Sequence, residues 1–134
     1  MCGIVGYLGK KNASEILCDG LKKLEYRGYD SAGIALLNGS GFRVLKTSKR
    51  IENLSKTVSL EKSQSKIGIG HTRWATHGEA NKQNAHPHLS EDGKFAVVHN
   101  GIIENYLSLK EELLKEGFKL KSETDTEVDR KSVV

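Results

Sequence analysis

Gly33-Ile34-Ala35-Leu36-Leu37-Asn38-Gly39-Ser40-Gly41-Phe42-Arg43-Val44-Leu45-Lys46 joins two strand-like runs through a cluster of turn residues. Asn and Gly tolerate the backbone angles of a tight turn, and long residues on either side suit a pleated surface. Residues 38–41 therefore read as a turn, and 42–46 return beside 33–37 as a hairpin. An antiparallel pair at this point sets the expectation for the rest of the chain.

Working upstream, Asn12-Ala13-Ser14-Glu15 has capping-box spacing, with Glu three residues after Asn. Ile16, Leu17, Leu21 and Leu24 then share one helical face, and Gly28 ends that segment. Residues 3–8 read as a buried strand. Downstream, Ile51, Leu54 and Val58 recur at helical spacing, and 66–71 form another strand. Residues 75–86, rich in Asn, Gly and His, read as a loop. Ser90-Glu91-Asp92-Gly93 is a turn ahead of a strand over 95–99. Asn105 is placed to cap a helix with Leu109, Leu113 and Leu114 inward, closed by Gly117. Hairpin-paired strands with three helices between them predict an α/β (α+β) domain, with largely antiparallel sheets covered by helices.

The 134 residues suit one domain, 1–134. With 37% hydrophobic and 28% charged residues, the chain holds enough apolar material for a core and a well-solvated surface. The net charge of +4 does not mark a nucleic-acid binder. Basic residues are scattered among acids, as in Lys110-Glu111-Glu112, and form no stripe interleaved with aromatics. The apolar start, residues 1–7, is too short for a secretory signal or a membrane span. Neither of the two cysteines sits in a CxxC pair, so a reducing, cytoplasmic setting is expected.

Cys2 is the residue with chemistry to explain. A thiol attacks as its thiolate, and a free thiol has a pKa of about 8.5, so it needs a base. Removal of Met1 would give Cys2 its own α-amine. Such an amine titrates at about 7.7–8.0, against about 10.4 for lysine, so about a tenth of it is neutral at pH 7. A nucleophile activated by its own terminal amine is the result. The structural alternative is a buried cysteine at a strand start.

Further motifs occur in order: Cys2-Gly3-Ile4-Val5-Gly6, Glu25-Tyr26-Arg27-Gly28-Tyr29-Asp30-Ser31-Ala32-Gly33, His71-Thr72-Arg73-Trp74-Ala75-Thr76-His77-Gly78, His99-Asn100-Gly101-Ile102 and Thr124-Asp125-Thr126-Glu127. Together, over residues 1–128, they resemble the class II glutamine amidotransferases, the N-terminal-nucleophile type. The 25–33 run is most similar to the branch that makes glucosamine 6-phosphate. The resemblance implies a four-layer α/β/β/α sandwich and hydrolysis of the glutamine side-chain amide to glutamate and ammonia. It implies Cys2 as nucleophile, with Asn100 and Gly101 forming the oxyanion hole. Arg73 would grip the α-carboxylate of L-glutamine and Asp125 its ammonium, with Trp74, Thr76 and His77 shaping the pocket. It gives Arg27 no firm role and calls for no cofactor.

Local readings of these residues stay open beside it. Asn100-Gly101 has the form of a hairpin turn, Arg73 of a surface charge, and Asp125 of a helix N-cap before Thr126-Glu127. His71, His77, His86, His88 and His99 raise the question of a metal, but His86-Pro87-His88 is the only close pair and no metal is expected. Gly68-Ile69-Gly70 lacks the third glycine of a dinucleotide loop.

Residues 129–134 depart from the family pattern, in which Glu127-Val128 run on into an apolar-faced helix. The expectation is the N-terminal part of a longer domain, lacking the isomerase domain that would take fructose 6-phosphate. Alternatives are a fragment that binds glutamine without turnover and another class II amidotransferase. A sandwich cut in this way leaves apolar sheet uncovered, which favours association into a homo-oligomer.

Overall fold

The computed structural model describes residues 1–75 and 78–132, with the side chains of 130–132 excepted. The 33–46 stretch folds as the expected hairpin. β2 (Ser31–Asn38) pairs antiparallel with β3 (Gly41–Thr47), Asn38 opposite Gly41 and Ala32 opposite Thr47. β4 (Ile67–Arg73) lies along the other edge of β2, and β1 (Gly3–Leu8) along β4, giving an antiparallel sheet of order β1-β4-β2-β3.

Two helices cover one face. In α1 (Ala13–Leu24) the apolar repeat buries Leu17, Cys18 and Leu21, while Ile16 and Leu24 stay half-buried at the margin. Asn12 is the N-cap, but its side chain accepts from Ser14 N (3.2 Å) and Ser14 Oγ (2.9 Å), and Glu15 is exposed. The cap therefore works through the second helical residue. α2 (Ile51–Glu61) buries Ile51, Leu54 and Val58, the three residues its spacing marked. These side chains meet Ala32, Ile34, Leu36 and Leu45 in one core. Gly68 lets α1 press onto the sheet, since a Cβ there would lie 2.7 Å from Leu17 Cδ1. At about 25 cal/mol per Å² of apolar area, burying each such leucine contributes roughly 2 kcal/mol.

On the opposite face the loop after β4 returns across the sheet. A Cβ at Gly33 would come within 2.2 Å of the His86 carbonyl, so that strand must be glycine there. The loop leads into β5 (His88–Leu89), paired antiparallel with β6 (Ala96–Val97). α3 (Tyr106–Lys115) packs on α4 (Thr126–Ser132), which lies against the ribbon. The layer order is thus helices, sheet, ribbon, helices, the order of the expected sandwich with a thin second sheet.

The second half differs from its sequence reading in several ways. The strand over 95–99 shrinks to two residues, because His99 gives its N–H to the His86 ring instead of a neighbouring strand. Leu113 is the buried residue of α3, whereas Leu114 is 51% exposed. Asn105 occupies the N-cap position without a side-chain cap bond. Gly117, at φ +90°, closes α3: its N–H reaches Leu114 O at 3.2 Å and that of Phe118 reaches Leu113 O at 3.0 Å. α4 begins where the family pattern runs Glu127-Val128 into a helix, in addition to the three helices read from spacing.

Candidate active site

Cys2 precedes β1 and faces the end of β4. The register of the two strands, Gly3 opposite Thr72, brings residues 2 and 74 together. The Trp74 N–H donates to Cys2 Sγ at 3.1 Å, and the thiol lies 3.6 Å from Trp74 O. An N–H aimed at sulfur stabilises negative charge there. Trp74 is held in turn by an edge-on contact with Tyr29, ring centroids 5.6 Å apart. Arg50 covers Tyr29 at 5.3 Å and pairs with Glu25 at 2.7 Å.

Asn100 arrives from the end of the ribbon. Its Nδ2 donates to Cys2 O at 3.1 Å, and its Oδ1 lies 2.7 Å from His71 Nε2. The amide carries two hydrogens, of which Cys2 O takes one. Gly101 follows, and a Cβ there would sit 2.8 Å from His99 Nε2. The hairpin-turn alternative for Asn100-Gly101 fails: among the described residues no strand follows β6.

The surface-charge reading of Arg73 fails as well, since the residue is 4% exposed. Its Nη1 donates to Glu79 O at 2.9 Å and its Nη2 lies 3.4 Å from Gly78 O. Burial pulls the guanidinium below its ordinary pKa, and the nearby Cys2, Asp30, Asp125 and Glu123 act against that. Asp125 is buried at the start of α4. Its Oδ1 accepts from Thr126 N at 2.9 Å and its Oδ2 from Ile103 N at 2.7 Å. Asp125 stands just before α4, where its carboxylate accepts from the first helical N–H, that of Thr126, and the same carboxylate borders the cavity.

That cavity, of about 490 Å³, is lined by Cys2, Arg73, Trp74, Asn100, Gly101 and Asp125. Thr76 and His77 lie outside the described residues. Arg27, which had no role from sequence, lines the cavity beside Met1 and approaches Met1 Sδ at 3.8 Å. His86, His99 and Thr126 also line it and were not singled out as site residues. The signal for the last two was present, because both stand inside motifs quoted for their neighbours.

The histidines form a stack. The His71 and His86 rings lie 4.2 Å apart and 16° from parallel, with His88 tilted against His86 at 4.7 Å. Stacked faces do not converge their nitrogens on a point, and among the described residues no three potential ligands gather around one. Burial is the main reason His71 falls from 6.5 to about 4, and it lowers His86 strongly too. Depressed folded values mean that the stability from neutral His71 is complete above 6.5 and is lost as pH falls toward 4. The loss from His71 alone is about 3 kcal/mol. Urea unfolding midpoints should therefore drop steeply between pH 6.5 and 4, and a flat profile would show these rings to be solvated.

The family model described as the glutamine amidotransferase domain matches residues 43–132. Glutamine–fructose-6-phosphate aminotransferases (isomerizing) of Thermus thermophilus and Clostridium tetani are 57% and 59% identical over 128 residues, 96% of this chain. The chain spans about a fifth (21%) of the length of these curated relatives. Among solved structures, the glutamine phosphoribosylpyrophosphate amidotransferase of B. subtilis, in complex with ADP and GMP, superposes with a TM-score of 0.80 at 31% identity. That match covers 96% of this chain and 28% of the other.

Proposed function

This chain belongs to the glutamine amidotransferase domain family, and on that premise we propose that it is the N-terminal part of a domain that hydrolyses glutamine to glutamate and ammonia. The observation carrying the proposal is the convergence of Cys2, Asn100, Gly101, Arg73 and Asp125 on one cavity. The segments that supply them are far apart in sequence, and no single fold requirement calls for all five.

The chemistry follows from the groups present. Cys2 Sγ attacks the side-chain amide carbon, its proton passing to the α-amine that removal of Met1 exposes. The carbonyl oxygen becomes an oxyanion, for which Asn100 Nδ2 and Gly101 N supply hydrogens. Collapse expels the nitrogen as ammonia, with the proton returned by the amine, and leaves an acyl thioester. Water then attacks through a second oxyanion and releases glutamate. Arg73 holds the α-carboxylate and Asp125 the α-ammonium, each needing to turn from its present backbone partners or share them. Trp74 bounds the pocket.

With Met1 in place the nitrogen of Cys2 is an amide, and Met1 itself borders the cavity. Its removal supplies the base and makes room at once. By likeness to the aminotransferases the ammonia is destined for fructose 6-phosphate, bound by parts of the enzyme beyond these residues. Both cysteines are free thiols, which suits a reducing cytoplasm. No described helix is long and apolar enough to cross a membrane.

The test is ammonia release from glutamine, with the intact mass of the same sample measured. Release should scale with the fraction lacking Met1. Full turnover by protein that retains Met1 would overturn the terminal amine as base, and no turnover by fully processed protein would overturn the assignment of hydrolysis to these residues.

A further inference from the structure

The segment that carries the oxyanion donors is held by no strand. β6 ends at Val97, so the backbone of residues 98–101 needs partners elsewhere. Two buried imidazoles supply them. His86 Nδ1 accepts from His99 N at 3.3 Å, and His71 Nε2 lies 3.3 Å from His99 O and 2.7 Å from Asn100 Oδ1. We propose that His71 and His86 are positioning residues, a stacked pair of imidazoles that fixes the plane of the Asn100 amide and the path of His99-Asn100-Gly101 for the oxyanion. This rests on the glutamine-hydrolysis reading of the site.

Hydrogen bookkeeping assigns the tautomers. The Asn100 amide cannot be reversed, because Cys2 O needs a donor and so faces Nδ2. Oδ1 therefore faces His71. Both neighbours of His71 Nε2 are acceptors, so Nε2 carries the hydrogen. His71 Nδ1 is then the bare nitrogen, buried and without a hydrogen-bond partner among the described residues. His86 Nδ1 receives an N–H, so its hydrogen is also on Nε2. The two rings are 0% and 5% exposed, so neither is free to rotate into water.

The consequence for catalysis is directional. Asn100 is exposed, and an exposed amide on a loop samples several rotamers. Pinning Nδ2 to Cys2 O and Oδ1 to His71 Nε2 fixes the amide plane at both ends. The second Nδ2 hydrogen then has one direction, set before glutamine enters. A donor aimed in advance costs no reorganisation when the oxyanion forms. The effect belongs on turnover and not on affinity, because the oxyanion exists only along the reaction path.

Glutamine hydrolysis by His71→Leu and His71→Gln tests this in protein lacking Met1. His71→Leu should lower kcat about 10- to 100-fold, with KM changed by less than about 3-fold. His71→Gln retains an N–H that can reach Asn100 Oδ1 and should recover most of that loss. In an Asn100→Ala background His71→Leu should add clearly less than it costs alone, since only its contact with His99 O is left for it to act through. Equal loss in Leu and Gln variants, or full additivity with Asn100→Ala, would overturn the proposal. Imidazole ¹⁵N NMR of the unaltered protein tests the geometry without turnover. Both histidines should show a protonated Nε2 and a bare Nδ1, and a protonated Nδ1 on His71 would overturn the brace. The expected tautomers in a processed protein that releases no ammonia would sink the glutamine reading alone.

Discussion

Replacing Cys2 by Ala should reduce ammonia release from glutamine by on the order of 10⁴-fold or more. The substitution deletes the sulfur that forms the acyl intermediate, and the second thiol cannot replace it. Cys18, the other cysteine, is 4% exposed and faces the core from α1. Cys18→Ala should accordingly leave release unchanged. The loss at Cys2 would be chemical and not structural. Trp74 N loses its sulfur partner in Cys2→Ala, which costs about 1 kcal/mol. The melting temperature should therefore move by only a few degrees. Glutamine should still bind, since Arg73 and Asp125 are untouched. Substantial residual hydrolysis would remove Cys2 from the chemistry altogether.

The second large effect belongs to Asn100. Asn100→Ala should lower kcat for glutamine hydrolysis about 10²- to 10³-fold, the usual result of removing one oxyanion donor. KM should stay near its original value, because the substrate carbonyl gains its negative charge only after attack. The same change also cuts the bond to Cys2 O and empties the space the side chain fills, so a second variant is needed to separate donation from packing. Asn100→Asp has nearly the same shape and no donor. It should be as damaging as Ala despite filling the space. If Asp were well tolerated, or if only KM rose in either variant, the side chain would be filling the cavity and not stabilising an oxyanion.

How much of this was legible beforehand differs between the two halves of the chain. In residues 1–73 the periodicity of Leu17 and Leu21, or of Ile51, Leu54 and Val58, reports burial directly, since both helices pack on one sheet, whereas the strand read as buried over 3–8 is an edge strand with Ile4 and Leu8 exposed. The 38–41 turn joins adjacent strands, so its pairing is local as well. After residue 74 the strands are only two residues long, and much of the backbone beside them is held by side chains. Ala96–Val97 pairs for two residues only, and its continuation is held by histidine rings. Leu109, Leu113 and Leu114 share a helical face by spacing, yet α3 buries Leu113 and leaves Leu114 51% exposed. Such outcomes depend on what packs opposite, which no window of adjacent residues contains.

The site divides along the same line. Residue chemistry, motif order and the position of Cys2 named Cys2, Asn100, Gly101, Arg73, Trp74 and Asp125, and the fold brings all of them to one cavity. Sequence by itself determined which functional groups the chain has available, the antiparallel character of its sheet and the family to which it belongs. These rest on covalent chemistry and on contacts close along the chain. Tertiary structure alone decided that Asn100 meets Cys2 across 98 positions, that Arg73 is enclosed by the carbonyls of residues 78 and 79, and that two of the histidines contact His99 and Asn100. Each of these depends on the direction in which a donor points after distant strands have come into register, and a hydrogen bond is lost within an ångström of misplacement.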